Sequence, residues 1–205
     1  MAVINLMKRQ IECKIVFYGP GRSGKTTNLE YIHKAFKKQV AGKMISIDTE
    51  GDRTLFFDFL PLGIGKVKGC DVRVQLYTVP GQVKYSSTRE LVLKGVDGVI
   101  FVADSLRVRR EKNFVSLKDL HANLKKQGLN ILKIPLVLQY NKRDLQKKGL
   151  PIMSVDKMNR ELNRQLKAPS FSASALTGKG VGATLTQTMK LTLQHLHQEF
   201  QWSKK

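Results

Sequence analysis

The sequence predicts an α/β fold in which a mostly parallel sheet is wrapped by helices on both faces. Three observations carry this. Residues 99–103 and 134–140 are continuous apolar runs, as expected of central strands covered on both sides. Apolar residues at helical spacing follow each run: Phe114, Leu117, Leu120 and Leu124 after the first, then Val155, Met158, Leu162 and Leu166 after the second. Residues 11–18 form a further β-branched run that passes through a glycine-rich turn into a helical pattern. Strands alternating with helices imply a parallel sheet, and such sheets bind ligands beyond the carboxyl ends of their strands.

In chain order, 11–18 is the first strand and 27–36 the first helix, with Leu29, Ile32 and Phe36 on one face. Residues 37–52 are polar and glycine-punctuated and read as a loop. Residues 55–60 and 72–79 read as two strands. In the second, Val72, Val74, Leu76 and Thr78 alternate with Arg73, Gln75 and Tyr77. The stretch 61–69 holds three glycines and reads as their hairpin connection. Pro80, Gly81 and Gln82 end the second strand and open another loop. Ser154 is placed to cap the helix that begins at Val155. A short last strand follows at 170–173, and 185–200 forms a closing amphipathic helix.

A length of 205 residues suits one domain with a full core. The charge is unusual: 36 Lys and Arg against 16 Asp and Glu give +20, a field that favours anionic partners. The basic residues fall in separate groups, at Arg107, Arg109, Arg110 and Lys112, at Lys142, Arg143, Lys147 and Lys148, and at Arg160, Arg164 and Lys167. No RNA-binding aromatic pattern or DNA-reading motif accompanies them, so they read as a solvated surface and not as a nucleic-acid site. Cys13 and Cys70 lack metal-ligand spacing and read as reduced thiols. His195 and His197 lie two apart on a helix and do not share a face as metal ligands would; His33 and His121 also read as surface residues. There is no apolar run long enough to span a bilayer and no signal-peptide or lipidation pattern. We expect a cytoplasmic chain with no intrinsic membrane anchor.

The sequence GPGRSGKT at 19–26 matches the G-x-x-x-x-G-K-[ST] phosphate-binding loop. Strand, glycine turn and helix are what that chemistry needs. Gly19, Gly21 and Gly24 let successive backbone N–H groups of Arg22, Ser23 and the residues up to Thr27 line an anion site, and the helix N-terminus adds its dipole. Lys25 would bridge the terminal phosphates and the Thr26 hydroxyl would ligate magnesium.

NKRD at 141–144, directly after a predicted central strand, resembles the N-K-x-D guanine motif of Ras-like GTPases. The Asp144 carboxylate can accept from both the ring N–H and the exocyclic amine of guanine. Adenine offers no such pair of donors and would leave the carboxylate unpaired. Asn141 would reach the far edge of the base, and the Lys142 stem would lie along its face. SALTGKG at 174–180 resembles the fifth GTPase motif, with Ser174, Ala175 and Leu176 at the base and the Ala175 N–H directed at the guanine oxygen.

TVPGQ at 78–82 lies where Ras-like proteins carry D-x-x-G-Q, and TEGDRTLFFDFLP at 49–61 precedes it. Together they resemble the bacterial MglA family of small GTPases, over nearly the whole chain. The resemblance implies a Ras-like P-loop GTPase fold with one antiparallel edge strand, a single G domain over 1–205, GTP and GDP as ligands, and magnesium. Gly81 would offer its N–H to the γ-phosphate and Gln82 would orient the attacking water. Arg53 matches an arginine finger carried in cis, and Thr54 the threonine that closes over magnesium and γ-phosphate. Thr78 replaces the aspartate that holds magnesium through water, and Arg22 stands where an apolar residue is more usual. MglA proteins are cytoplasmic switches recruited to one pole of a rod-shaped cell, where they direct motility machinery. They hydrolyse GTP slowly until stimulated by MglB, a roadblock-fold homodimer, and bind effector and polar-targeting partners in the GTP state. In the family, the strand over 55–61 slides between nucleotide states. We expect a monomeric GTPase of this kind; a GTP-binding module with negligible turnover, signalling by occupancy and by partner or polyanion binding, is the alternative.

Overall fold

The computed structural model describes residues 3–5, 9–42, 44–47, 57–67, 69–82 and 85–202. In chain order the elements are β1 (Val3–Asn5), β2 (Gln10–Tyr18), α1 (Lys25–Ala35), β3 (Ile45–Ile47), β4 (Phe57–Val67) and β5 (Cys70–Thr78). They continue with α2 (Ser86–Leu93), β6 (Gly98–Asp104), α3 (Arg110–Lys126), β7 (Leu136–Asn141), α4 (Val155–Met158), β8 (Ser170–Ser172) and α5 (Val181–Trp202). The strands form one sheet in the order β3-β4-β5-β2-β6-β7-β8, and β1 pairs with the first part of β2. From β5 to β8 every pairing is parallel. Antiparallel β4 borders β5, with β3 antiparallel outside it.

Alternation along the central strands builds two cores. Val16 and Tyr18 of β2 join Val99, Phe101, Leu138 and Tyr140 on the face covered by Leu93, Leu120, Leu124 and Met158 of α2, α3 and α4. Ile15 and Phe17 join Leu76, Ile100 and Val102 on the other face, under Leu29 and Ile32 of α1 and Leu185 of α5. With both faces buried, the sheet holds its carboxyl ends in fixed relation, and the loops of interest all leave from there.

Four local readings change. The hairpin is tight, because β4 continues through Pro61 to Val67. Pro61 is tolerated because its carbonyl points away from β5 and accepts from the Ala41 N–H at 3.0 Å, so the missing proline N–H also faces that outer edge. Ile64 is then an extra residue in a bulge between Gly63 and Gly65, where Gly65 takes a φ of 88°. The region read as a loop after α1 contains β3, recruited by pairing to β4 rather than by its own pattern. The loop after Gln82 gives way to α2, which buries Thr88, Arg89, Val92 and Leu93. The predicted helix from Val155 is capped by Ser154, whose hydroxyl accepts from the Lys157 N–H at 3.2 Å, but after four residues it passes into a π-turn over Asn159–Asn163. Both cysteines are free, and burial pushes the Cys13 thiol up to about 12, which leaves it inert at neutral pH. No helix among the described residues is long and apolar enough to cross a membrane.

Candidate functional site

The turn between β2 and α1 wraps around the Lys25 ammonium. Its Nζ donates to the Gly19 and Pro20 carbonyls, each at 2.9 Å, which fixes the side chain across the loop mouth. Gly24 has a φ of 97° and starts the helix with no side-chain cap, leaving the first-turn N–H groups directed outward. Arg22 is exposed where the loop borders the cavity, with a φ of 64°. Burial pushes Lys25 down to about 7; the Asp58 carboxylate opposes this, and the Arg89 and Arg109 cations add to it. An anion placed in the loop would reverse that shift, since an opposite charge restores the protonated form.

A cavity of about 1220 Å³ opens in front of the loop, lined by residues of α1, of the ends of β4 and β5, and of one side of α3. On its β4 side three oxygens converge. The Thr26 hydroxyl donates to Asp58 Oδ2 at 2.7 Å, and the Thr78 hydroxyl donates to the same oxygen at 2.9 Å while accepting from the Asp58 N–H at 2.9 Å. Thr78 thus does not leave this corner without a carboxylate, because Asp58 on the neighbouring antiparallel strand supplies one. Asp58 is 8% exposed. Its place inside the apolar run at 55–60 was the available signal for a special role. The donor set of hydroxyl and carboxylate oxygens fits a hard cation such as magnesium. Among the described residues no cluster of three or more His, Cys, Asp or Glu competes for a metal.

The second wall is the turn after β5. The Gly21 N–H donates to the Gly81 carbonyl at 3.1 Å, and a Cβ on Gly81 would lie 2.2 Å from the Gly21 nitrogen, so only glycine fits. Arg89 of α2 holds this turn from behind. Its Nη1 donates to the Gln82 carbonyl at 2.5 Å and to the Pro80 carbonyl at 3.4 Å, while its Nε pairs with Asp119 of α3 at 2.8 Å. Asp119 also accepts from the Tyr18 hydroxyl, which accepts from Asn123 at 3.0 Å. The Gln82 side chain itself is exposed at the cavity. From the start of α3, Arg109 donates to the Gly21 carbonyl. Arg53 and Thr54 lie outside the described residues.

On the opposite side of the phosphate loop, Asn141, Lys142 and Asp144 leave the end of β7 and meet residues 174–176. Asn141 is bonded to both neighbouring loops. Its amide nitrogen donates to the Ser23 carbonyl at 2.7 Å and its oxygen accepts from the Ala175 N–H at 2.8 Å. It ties three segments together, and the Ala175 N–H anticipated for a base is shared with this tie. Lys142 pairs with the buried Asp104 at 2.6 Å, and Arg109 approaches the same carboxylate at 3.6 Å. Asp144 is half-buried and has no hydrogen bond or ion pair among the described residues, so its carboxylate is available to a ligand. Leu176 is 69% exposed and Ser174 is buried, its hydroxyl accepting from the Thr177 N–H. The Ser23 hydroxyl is fully buried and unpartnered among the described residues.

A phosphate loop at the end of a central strand, a glutamine turn beside it and paired loops behind it are the parts of a small GTPase. The family model of the Ras family matches residues 14–194, and the chain belongs to that family. Within it the chain stands with the MglA proteins. It is 52% identical over 196 residues to the mutual gliding-motility protein MglA of Myxococcus xanthus (strain DK1622), covering 96% of this chain and 98% of the relative. The protein is accordingly a guanine-nucleotide-binding switch with GTPase activity.

Proposed function

We propose that the whole chain, 1–205, is one G domain that controls cell polarity or motility by binding effector and polar-targeting partners in its GTP state. The observation that carries the reading is the joining of the phosphate loop to both base loops through Asn141, in a chain that aligns end to end with a gliding-motility protein. The phosphates of GTP or GDP lie against Gly19, Gly21, Arg22, Ser23, Gly24, Lys25, Thr26 and Thr27. Guanine lies against Asp144, the Lys142 stem, Ala175 and Leu176, with Asn141 and Ser174 holding those loops in place.

Hydrolysis is in-line attack of water on the γ-phosphorus. Gln82 orients the water, with its backbone fixed by Arg89. Gly81 presents its N–H to the γ-phosphate once its carbonyl leaves Gly21. Lys25 regains its full charge beside the phosphates and stabilises the transferring group. Arg53 supplies a further guanidinium in cis, worth ~10³–10⁵ in rate where such residues have been measured. Thr26, Thr54 and Asp58 would hold magnesium, which supplies neutralisation of the phosphate charge when bound. The protein acts in the cytoplasm as a monomer, with an MglB-like roadblock homodimer as activator.

The test is single-turnover GTP hydrolysis, alone and with the host's roadblock homodimer, for the natural chain and for Arg53→Ala. Stimulation that Arg53→Ala abolishes, with GTP affinity retained, is the expected result. Unstimulated turnover despite confirmed GTP binding would overturn the activator assignment.

A further inference from the structure

Members of the three basic groups that lie apart in the sequence are brought together by contacts between their segments. The turn before α3 is stitched to the segment following β7: Leu106 bridges Ile152, and the Arg107 N–H donates to the Pro151 carbonyl at 3.0 Å. This joins exposed Arg107 to the segment that directly follows the exposed Lys147 and Lys148. At the first residue of α3, Arg110 pairs with Glu161 at 2.9 Å, which brings in the π-turn with its exposed neighbours Arg160 and Arg164. Acidic residues on this face, Glu111, Asp156 and Glu161, are fewer than the bases. Two aliphatic side chains stand out among these charges: Val108 is 80% exposed and Leu150 is 44% exposed.

We infer that this face is a peripheral membrane-binding surface that docks on anionic phospholipid headgroups. Protruding aliphatic residues ringed by Lys and Arg suit an interface that is charged outside and apolar a few ångströms below. A nucleic-acid partner is disfavoured by the apolar residues themselves. None of the large apolar side chains exposed among the described residues is aromatic, so there is no platform on which bases could stack. The surface needs neither a spanning helix nor a lipid anchor, and +20 of net charge adds long-range attraction. It would hold the switch loosely, so that partners and not the bilayer decide where on the membrane it stays. It lies outside the residues assigned to nucleotide, and the inference does not depend on the proposed output of the switch.

The experiment is co-sedimentation of the full chain with vesicles of phosphatidylcholine alone or mixed with phosphatidylglycerol. Three variants are compared: Lys147→Glu with Lys148→Glu, Val108→Asp, and Lys37→Glu with Lys38→Glu. The last pair is exposed after α1, which packs on the opposite face of the sheet, and changes net charge equally. Fluorescent GDP binding confirms that each variant is folded. Binding only to the anionic vesicles is expected, weakened by added salt. At ~1 kcal/mol per basic residue, neutralising 147 and 148 alone loses about 25-fold, so reversing them should lose at least that, and Val108→Asp should also weaken binding. Equal losses in the Lys37 and Lys38 reversal would reduce the effect to net charge and overturn the assignment. So would equal binding to both vesicle types, absence of binding, or a preference of the same face for an oligonucleotide or polyglutamate.

Discussion

The two sides of the phosphate loop are held by different kinds of bond. Behind it, Asn141, Ser23 and Ala175 are joined by neutral amide hydrogen bonds of 2.7–2.8 Å between segments that leave the ends of central strands. In front of it, the turn at 80–82 and β4 are held by charged or hydroxyl side chains: Arg89 on two carbonyls, Arg109 on a third, and Asp58 on two threonines. Buried neutral amides have no better partner to move to, so the rear is a permanent frame. Guanidinium and carboxylate groups beside a cavity can exchange a carbonyl or hydroxyl for a phosphate or a cation. On the proposed reading, the difference separates the part that recognises the ligand from the part that responds to it.

Changes in front should therefore alter rate, and changes behind should alter stability. The largest expected effect is that of Arg53→Ala, which should lower activator-stimulated single-turnover hydrolysis by ~10³–10⁵ with little change in GTP affinity. Asp119→Asn should lower kcat by a factor of about 10–10², because Gln82 loses the charge that aims Arg89 at its backbone, while KM stays near that of the natural chain. A rise in KM with kcat preserved would show that the clamp serves binding instead. Asn141→Ala should break the rear frame even without ligand. It leaves the Ser23 carbonyl and the Ala175 N–H unpaired, at about 1–3 kcal/mol each, and should lower the denaturant midpoint of the nucleotide-free protein. An unchanged midpoint would mean that the frame is assembled by nucleotide.

A pH effect sharpens the same contrast. The unfolded chain keeps the Lys25 proton up to the ordinary value of 10.5, whereas the folded chain releases it from about 7. Between those values the unfolded state binds more protons, so the Lys25 contribution makes the nucleotide-free protein more stable as pH rises. Lys25→Met should flatten that slope. Nucleotide binding near pH 8 should take up a proton, seen by calorimetry in buffers of different ionisation enthalpy. The smallest effect is that of Ser23→Ala, which removes a buried hydroxyl without a partner and should leave the melting temperature unchanged or slightly raised. A clear loss of stability there would reveal a partner for the hydroxyl.

The central strands were legible because a strand buried on both faces must be apolar throughout, and 99–103 and 134–140 stand out on that ground alone. The glycine loop and the segments 141–144 and 174–176 were legible because each chemistry demands particular residues at short, fixed spacing. What escaped was built from distant residues. Asp58 meets Thr26 and Thr78 only because β4 pairs antiparallel with β5, and β3 exists only through β4. Arg89 lies in a helix whose short pattern was masked by its polar first turn, and its partner Asp119 is 30 residues away. Asn141 reads as a base contact from its motif, and its amide also joins two loops 118 and 34 residues distant, a tie that no local pattern announces.

By itself the sequence determined the layered fold, the glycine loop and the segments that the nucleotide motifs occupy, since local spacing, burial periodicity and turn chemistry are properties of neighbours in the chain. The tertiary structure alone decided which carboxylate Thr26 and Thr78 share, what holds the glutamine turn, and that members of three separate basic groups are brought together. Those are long-range pairings, selected by strand register and helix packing, and no short stretch of chain contains the information that brings them together.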